Sequence, residues 1–246
     1  MPNLVGIGLS QVPTNSMLGG MAYQDPEHTS IKDLDLRNLS KIKATLYDTA
    51  SAIFVYDTRK DSDGGAWRKK TQDTSWYNEP LGTAIRGTRK EFPAVAVIVA
   101  QTSKLTIYDA DDPNLPMWMV FEGKTVSSGH ANMLAVVGQP IGSVAMLNGN
   151  LCVGFPSANG WGVSKINFVS DSHLWYWSTL YRQTENRISE RNTVSKYIQV
   201  YPVTNALANG VVNDIALTVL PNSEIDPHTG LPNLTMAVSH HHGVSV

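Results

Sequence analysis

The sequence is poor in cysteine and lacks long apolar runs, and each shortage excludes a class of protein. Cys152 is the single cysteine among 246 residues, so an internal disulfide and a four-cysteine metal site are both excluded. No apolar stretch approaches the roughly 18 to 20 residues that cross a bilayer as a helix, and we expect no membrane span. Met1-Pro2-Asn3-Leu4 lacks a basic region followed by an apolar stretch, so we expect no secretory signal and synthesis in a cytoplasm.

Charge is scarce as well. Charged side chains make up 16% of the chain, against about 25% in a typical soluble domain. The 19 basic and 21 acidic residues leave a formal net charge of -2. Non-specific nucleic-acid binding needs clustered Lys and Arg to displace the counterions of the phosphates. Two short basic patches stand out, Arg86–Lys90 and Arg68–Lys70, and we expect no nucleic-acid partner.

What the chain does contain is a series of short apolar segments separated by turn residues, with 19 Gly and 13 Pro. Ala94–Val99 is a continuous apolar run rich in β-branched residues, which is typical of a strand buried on both faces. Asn148-Gly149 stands between two apolar segments and predicts a tight hairpin, because both positions accept positive φ. These patterns predict an all-β fold.

Two segments of the chain resemble one another. Ile53–Asp57 and Leu105–Asp109 are apolar strands that end on Tyr-Asp, and each is followed by an acidic loop and a further segment that contains Trp, Gly65–Lys69 or Met117–Phe121. The two copies are about fifty positions apart, a period that favours β-propeller blades. We therefore predict a propeller-like array of antiparallel blades, with a β-sandwich as the alternative. The hairpin that opens each repeat is expected three times, at Val97–Ile107, Val153–Ile166 and Val238–Val246.

The chain divides into two predicted parts. Residues 1–44 are a Gly-rich opening followed by a partly alternating stretch, and residues 45–246 are the β domain. The opening part is predicted to be an N-terminal arm, either an edge strand or an anchor laid on a neighbour; the alternative is that it covers one end of the main domain. The candidate anchoring residues are Leu34, Leu36 and Leu39.

Two later segments carry further predictions. Ser178–Ser195 is polar, and we expect an exposed loop with one helical turn. Gly243–Val246 has the pattern of an opening strand, which favours this chain being the N-terminal part of a longer polypeptide.

No segment predicts catalysis or metal binding. Asp57–Gly65 shares part of the pattern of a calcium loop but lacks its later ligands, so we expect a turn held by Asp side chains and by positive φ at the two glycines. His240, His241 and His242 are consecutive and are predicted to lie in an exposed turn, because strand neighbours point to opposite faces. Cys152 lies in an apolar strand, where a thiol is inert. We expect no enzyme activity and no cofactor.

The aromatic residues fall into two groups. Trp67, Trp118 and Trp175 or Trp177 occupy the aromatic segments of successive groups and are expected in the core. Trp76, Tyr77 and Trp161 stand beside Asn and Gly and look more like loop residues. We expect these three to contact a partner subunit or to pack, and stacking on a glycan is the alternative.

The repeated segments also resemble a known family. The runs that carry the resemblance are Phe54–Lys69, Arg89–Val99, Leu105–Asp109 and Pro116–Phe121. They resemble virion structural proteins of marine tailed bacteriophages such as cyanophages, and the resemblance covers roughly residues 13–246. Members of that family are usually longer than this chain. The resemblance implies a repetitive, propeller-like particle component without recognised catalysis, and it carries over no functional residue.

The resemblance also predicts location and partners. We expect a virion protein, made in the host cytoplasm, that is tail-associated as a nozzle, fibre or host-recognition appendage. A capsid-attached appendage and a carbohydrate-binding module for host attachment are the alternatives. The expected partners are other virion proteins, namely tail or capsid subunits, and further copies of the chain in a homo-oligomer. A host surface glycan is the ligand of the carbohydrate-binding alternative.

Overall fold

The computed structural model of the protein describes residues 49–125, 130–134, 137–156, 162–177, 180–184, 186–202 and 207–246. The proposed arm residues Leu34, Leu36 and Leu39 lie outside these ranges. So do Trp161 and the boundary predicted at residues 44 and 45.

Strands dominate the described residues. In chain order they are β1 (Ala50–Asp57), β2 (Val95–Gln101), β3 (Lys104–Asp109), β4 (Met117–Glu122), β5 (His130–Ala131), β6 (Ser143–Leu147), β7 (Asn150–Gly154), β8 (Val163–Asn167), β9 (Ser172–Tyr176), β10 (Leu180–Thr184), β11 (Ser195–Pro202), β12 (Val212–Thr218), β13 (Thr235–His240) and β14 (Gly243–Ser245). The helical elements are short: an α-helix, α1 (Ser75–Asn78), and 3₁₀ turns at Thr58–Lys60, Ala66–Lys70 and Ile188–Glu190.

The strands form three antiparallel sheets, which confirms the all-β prediction. The first sheet has the order β1-β2-β3-β4, the second β5-β11-β10-β9-β8-β7-β6 and the third β12-β13-β14. None of the three sheets is closed. A propeller is therefore not confirmed, and a sandwich-like arrangement is compatible with the sheets.

The two similar segments lie in one sheet. Ile53–Asp57 belongs to β1 and Leu105–Asp109 to β3, and both strands pair with β2. Their spacing of about fifty residues is thus the distance along the chain between two strands of the same sheet. The Trp-containing segments that follow these two strands differ from each other. Met117–Phe121 is in β4, whereas Ala66–Lys70 is a 3₁₀ turn and not the predicted strand. Gly65 at φ 81° turns the chain just before it.

The predicted hairpins are confirmed. β2 pairs with β3, β7 with β8 and β13 with β14, each antiparallel to its neighbour. Asn148 and Gly149 connect β6 to β7 with φ values of 48° and 69°. The positive φ at both positions is the geometry that an Asn-Gly hairpin turn requires.

Ser178–Ser195 is not the exposed loop that was predicted. Within it, Leu180–Thr184 forms β10, which pairs with both β9 and β11. The expected helical turn is present at Ile188–Glu190, but Arg191 directly after it is fully buried. A polar sequence fits inside a sheet here because the pairing uses the backbone, which every residue supplies.

The second sheet is the middle layer. Successive residues of β7 pack on opposite sides, as strand geometry requires. Leu151 and Val153 join the large core that the second sheet shares with the first, whereas Cys152 joins a smaller core shared with the third sheet. The described residues of the smaller core are Ala145, Cys152, Val163, Leu207, Val212, Ile215, Leu217 and Val238.

Gly149→Ala is expected to lower the free energy of unfolding by about 2 to 3 kcal/mol, because an added Cβ meets Val169 Cγ2 at 2.8 Å and the backbone is left-handed. Gly64→Ala is the matched control, since φ is 65° and nothing lies within 4 Å of its Cβ position, and we expect a loss of about 1 kcal/mol. Urea unfolding measures both, and equal losses would contradict the contact with Val169.

Candidate functional site

A cluster of three buried charged side chains lies where α1 meets the first sheet. Glu79 follows α1 directly, Arg86 lies in a segment that bridges to β4, and Arg191 follows the 3₁₀ turn at Ile188–Glu190. Glu79 Oε1 is 3.0 Å from Arg86 Nε, and Glu79 Oε2 accepts a 2.7 Å hydrogen bond from Arg191 Nη1. The side chains of both arginines are 0% exposed and that of Glu79 is 7% exposed. One carboxylate therefore lies between two buried guanidinium groups.

Both guanidinium groups also donate hydrogen bonds to backbone carbonyls. Arg86 donates to Trp118 O at 3.0 Å and to Lys90 O at 2.8 Å. Arg191 donates to Val120 O and to Ile85 O, each at 2.8 Å. Because these carbonyls belong to β4 and to the segment beside it, the charge cluster ties α1 and the 3₁₀ turn to the edge of the first sheet.

Aromatic rings and burial set the electrostatics of this cluster. The guanidinium carbon of Arg86 lies 4.3 Å from the ring centroid of Trp118, a cation–π contact. Burial lowers the pKa of Arg86 to about 10, and burial raises the pKa of Glu79 against the opposing effect of the two arginines. Arg86 still carries its charge at neutral pH, so the cluster acts as a structural ion pair.

A second polar network joins the loop after β1 to the β6–β7 turn. Asp61 Oδ2 accepts hydrogen bonds from the Tyr56 hydroxyl and from Trp67 Nε1, and Oδ1 accepts one from Asn148 N at 2.8 Å. Tyr56 in turn accepts a 3.0 Å hydrogen bond from Gly149 N. Burial raises the pKa of Asp61 to about 6, although all three donors favour its charged form. The network fastens the first sheet to a hairpin of the second.

A third pair, Ser164 and His173, has the residue types of a nucleophile and its base. Ser164 Oγ lies 3.0 Å from His173 Nε2 and donates to Met133 O at 2.6 Å. Ser164 is 0% and His173 is 1% exposed, so a substrate has no route to the hydroxyl. The pair joins β8 and β9 to the segment that carries Met133.

The pKa of His173 is lowered to about 3 because burial disfavours the charged imidazole. Its contribution to stability is complete above the ordinary pKa of 6.5 and is lost as the pH falls towards 3. We expect this residue alone to lower the free energy of unfolding by about 2 kcal/mol when the pH falls from 7 to 5. Urea unfolding of the protein and of His173→Gln at both pH values measures the difference.

The His173→Gln comparison isolates one residue because the other groups stay the same. Asp61 acts in the opposite sense, since its raised pKa makes the fold more stable as the pH falls through 6. That effect is present in both proteins and cancels. An identical pH dependence of the two proteins would contradict a buried, neutral His173.

The predicted contact aromatics do not form an exposed group. Trp76 is fully buried in α1, where Nε1 donates to Phe168 O at 2.9 Å. Trp76 thus packs in the core, one of the two roles expected for it, and does not offer a surface for the alternative of glycan stacking. Its polar neighbours Ser75 and Asn78 lie on the same short helix, while its ring packs on Trp118. Tyr77 is half-buried, and Lys90 Nζ lies 5.3 Å from its ring centroid. Trp161 is outside the described residues.

The aromatic residues predicted for the core are buried. Trp67, Trp118 and Trp175 are each at most 1% exposed, and Trp177 is half-buried. Trp67 reaches the core from a 3₁₀ turn and not from a strand.

The acidic loop after β1 is a turn, as predicted. Asp57 Oδ1 accepts from Arg59 N, Asp63 Oδ1 accepts from Gly65 N, and φ is positive at Gly64 and Gly65. Over the part of the chain that the structure describes, no group of three or more His, Cys, Asp or Glu is placed to hold a metal ion.

The three consecutive histidines divide between a strand and a turn. His241 and His242 lie in an exposed turn as predicted, but His240 ends β13 and is buried. Its Nε2 lies 2.9 Å from Ser245 Oγ of β14, which explains why it faces inward. Cys152 is buried, and burial raises its pKa to about 11.

Three arginines of the two predicted basic patches form ion pairs with carboxylates of the same chain. Arg86 is buried with Glu79, and Arg89 donates to both Asp109 and Asp111. Arg68 pairs with Glu91 at 3.1 Å. The charges of these three arginines are thus balanced by carboxylates of the same chain.

The sequence did not reveal the Glu79 cluster or the His173 pair. Glu79 and Arg191 are 112 positions apart, and no local pattern joins residues that distant.

Comparison with protein-family models, with curated proteins and with solved structures gives no match. Among the described residues, no helix has the length and apolar character needed to cross a membrane.

Proposed function

We propose that the chain is a structural component of a tailed bacteriophage virion, associated with the tail, and that it acts through protein–protein contacts and not through catalysis. The assignment to a virion rests on the resemblance of Phe54–Lys69 and Arg89–Val99 to particle proteins of marine phages. Its partners are then other tail or capsid subunits and further copies of the same chain.

The observation that carries a contact role is the placement of the described polar groups. The Glu79 cluster, the Asp61 network and the Ser164–His173 pair are each enclosed and each joins two parts of the fold. A catalytic group has to reach its substrate, whereas these groups are directed at the protein itself. Such a domain is built to hold its shape and to present a surface.

We also propose that the domain is layered and sandwich-like in place of a ring of blades. The second sheet takes part in separate cores on its two faces, one with the first sheet and one with the third. Neighbouring propeller blades also pack face to face, so what supports the sandwich-like arrangement is the size of this sheet, which has seven strands where a propeller blade has four.

Binding of a host glycan receives less support. The stacking surface predicted at Trp76 is buried, and the ring of Tyr77 is partly covered by Lys90. We therefore place the contact role first.

Mass spectrometry of gradient-purified particles tests the proposal. We expect peptides of this chain at a constant copy number per particle, and antibody labelling at the tail. Recovery of the chain only in the soluble fraction of infected cells would contradict the proposal. Labelling on the capsid would contradict the assignment to the tail and favour the capsid-attached alternative.

The surface for such contacts can be probed at the connection between β12 and β13. Leu220 and Ile225 are both more than half exposed there. If neighbouring subunits cover them, Leu220→Asp with Ile225→Asp reduces incorporation into particles while the protein remains folded. Glu224→Gln, between them and also exposed, is the matched control.

A further inference from the structure

Two described asparagines are each followed by glycine, the dipeptide at which an asparagine side chain is most readily lost by deamidation. Glycine has no Cβ to hinder its backbone nitrogen, which can approach and attack the side-chain carbonyl carbon of the preceding asparagine. Asn148-Gly149 forms the turn between β6 and β7, and Asn209-Gly210 lies just before β12. A third copy of the dipeptide, Asn159-Gly160, is outside the described residues.

The fold engages the reacting atoms of Asn148-Gly149. Asn148 Oδ1 accepts a 2.9 Å hydrogen bond from Ser62 N, and Asn148 Nδ2 donates to Ser62 Oγ at 2.9 Å. Gly149 N, the atom that would attack, donates to the Tyr56 hydroxyl at 3.0 Å. Asn148 is also 0% exposed, so water does not reach its amide. Reaction at this turn therefore requires the surrounding Asp61 network to open first.

Asn209-Gly210 lacks most of these restraints. Asn209 is half-buried, and in the part of the chain that the structure describes neither its Nδ2 nor the N–H of Gly210 has a hydrogen-bond partner. Gly210 is buried, but its N–H has no bond to break before the nitrogen attacks. Asn209 Oδ1 accepts a 2.7 Å hydrogen bond from Val211 N, an Asx turn that folds the side chain over the following peptide.

We propose that Asn209 is a site of spontaneous deamidation in the folded protein, with water as the co-reactant. Gly210 N loses its proton to solvent base and forms a bond to Cγ of Asn209. The bond from Cγ to Nδ2 then breaks, and Nδ2 takes up a proton and leaves as ammonia, so that a succinimide remains. Water opens the succinimide at either carbonyl carbon and gives aspartate or isoaspartate at position 209. No oxidant or reductant takes part.

The backbone around Asn209 favours this reaction. Negative charge develops on Oδ1 when the nitrogen adds to Cγ, and Val211 N, at 2.7 Å, is within the range at which backbone donors stabilise an oxyanion. Ala208 N donates to Ser245 Oγ at 3.0 Å, and Gly210 O accepts from Gly162 N at 2.8 Å. These two bonds fix the chain on both sides of Asn209 and hold the Asx turn in place. The site is independent of the proposed place in a virion.

Peptide mapping of the folded, full-length protein after incubation at mildly alkaline pH tests the proposal. We expect aspartate and isoaspartate to accumulate at least about tenfold faster at Asn209 than at Asn148, because reaction at Asn148 requires an opening of the fold. In urea the two dipeptides are expected to react at similar rates. Similar rates at the two positions in the folded protein, or no conversion of Asn209, would overturn the proposal.

Two further results separate ring closure from direct hydrolysis of the amide. Isoaspartate arises only through the succinimide, so the appearance of aspartate alone at position 209 would overturn the mechanism. Asn209→Gln keeps an amide at this position but places its carbonyl carbon one methylene further from Gly210 N. We expect the glutamine to be converted at least about tenfold more slowly than Asn209, because the ring closure loses its favourable geometry. Conversion at an equal rate would also overturn the mechanism.

Discussion

Glu79→Gln is expected to lower the free energy of unfolding by about 3 to 5 kcal/mol. Glutamine keeps the volume of the side chain but removes the negative charge that faces Arg86 Nε at 3.0 Å and Arg191 Nη1 at 2.7 Å. Both guanidinium groups are fully buried, and water cannot replace the lost carboxylate. Two uncompensated charges then remain in the interior, which is why the loss exceeds that of a surface ion pair. Urea unfolding followed by tryptophan fluorescence measures it.

Glu91→Gln is the matched control for Glu79→Gln. Glu91 also pairs with an arginine, Arg68, at 3.1 Å, but its side chain is 36% exposed. Solvent screens this pair, so we expect a loss of at most about 1 kcal/mol. If the two substitutions had similar small effects, the Glu79 cluster would not be holding α1 and the first sheet together.

Trp76→Ala is expected to cost about 3 to 5 kcal/mol of stability, through the cavity that the truncated ring leaves. The ring is fully buried and has its centroid 5.5 Å from that of Trp118 and 5.6 Å from that of Phe168. The substitution therefore acts on folding before it acts on any ligand. Thermal unfolding and a glycan-binding assay on the same sample separate the two effects.

Trp76→Phe is the control that separates the ring from its polar group. Phenylalanine retains most of the packing but loses the 2.9 Å hydrogen bond to Phe168 O, so we expect the free energy of unfolding to fall by about 1 to 2 kcal/mol. A Trp76→Ala protein of unchanged stability would contradict the burial of the ring. It would also restore Trp76 as a candidate contact residue.

The sequence predicted the strands well because strand signals are local. Ala94–Val99 overlaps β2, whose first six residues are buried, and Asn148-Gly149 makes the turn between β6 and β7. Both follow from the chemistry of a few neighbouring residues. The arrangement of the sheets was harder to predict from the sequence, because two similar segments can be strands of one sheet as easily as parts of successive blades.

The candidate site was largely beyond the reach of the sequence. Polar neighbours made Trp76 look like a loop residue, yet α1 lies with its tryptophan inward because Ser75 is held by Asp171 in the turn between β8 and β9. Ser75 and Asp171 are 96 positions apart. His240 likewise faces inward because of Ser245 on the next strand. In each case a distant or cross-strand partner decides the direction of the side chain.

Native-state hydrogen exchange tests most directly whether the first two sheets form one structural unit. Their shared core, the Asp61 network and the Glu79 cluster predict that the amides of Ile98 in β2 and Leu151 in β7 exchange through the same opening. We expect equal opening free energies with the same denaturant dependence, both matching global unfolding. If β2 opened several kcal/mol more easily than β7, with a smaller denaturant dependence, the sheets would be separate modules and the layered domain proposed here would be wrong.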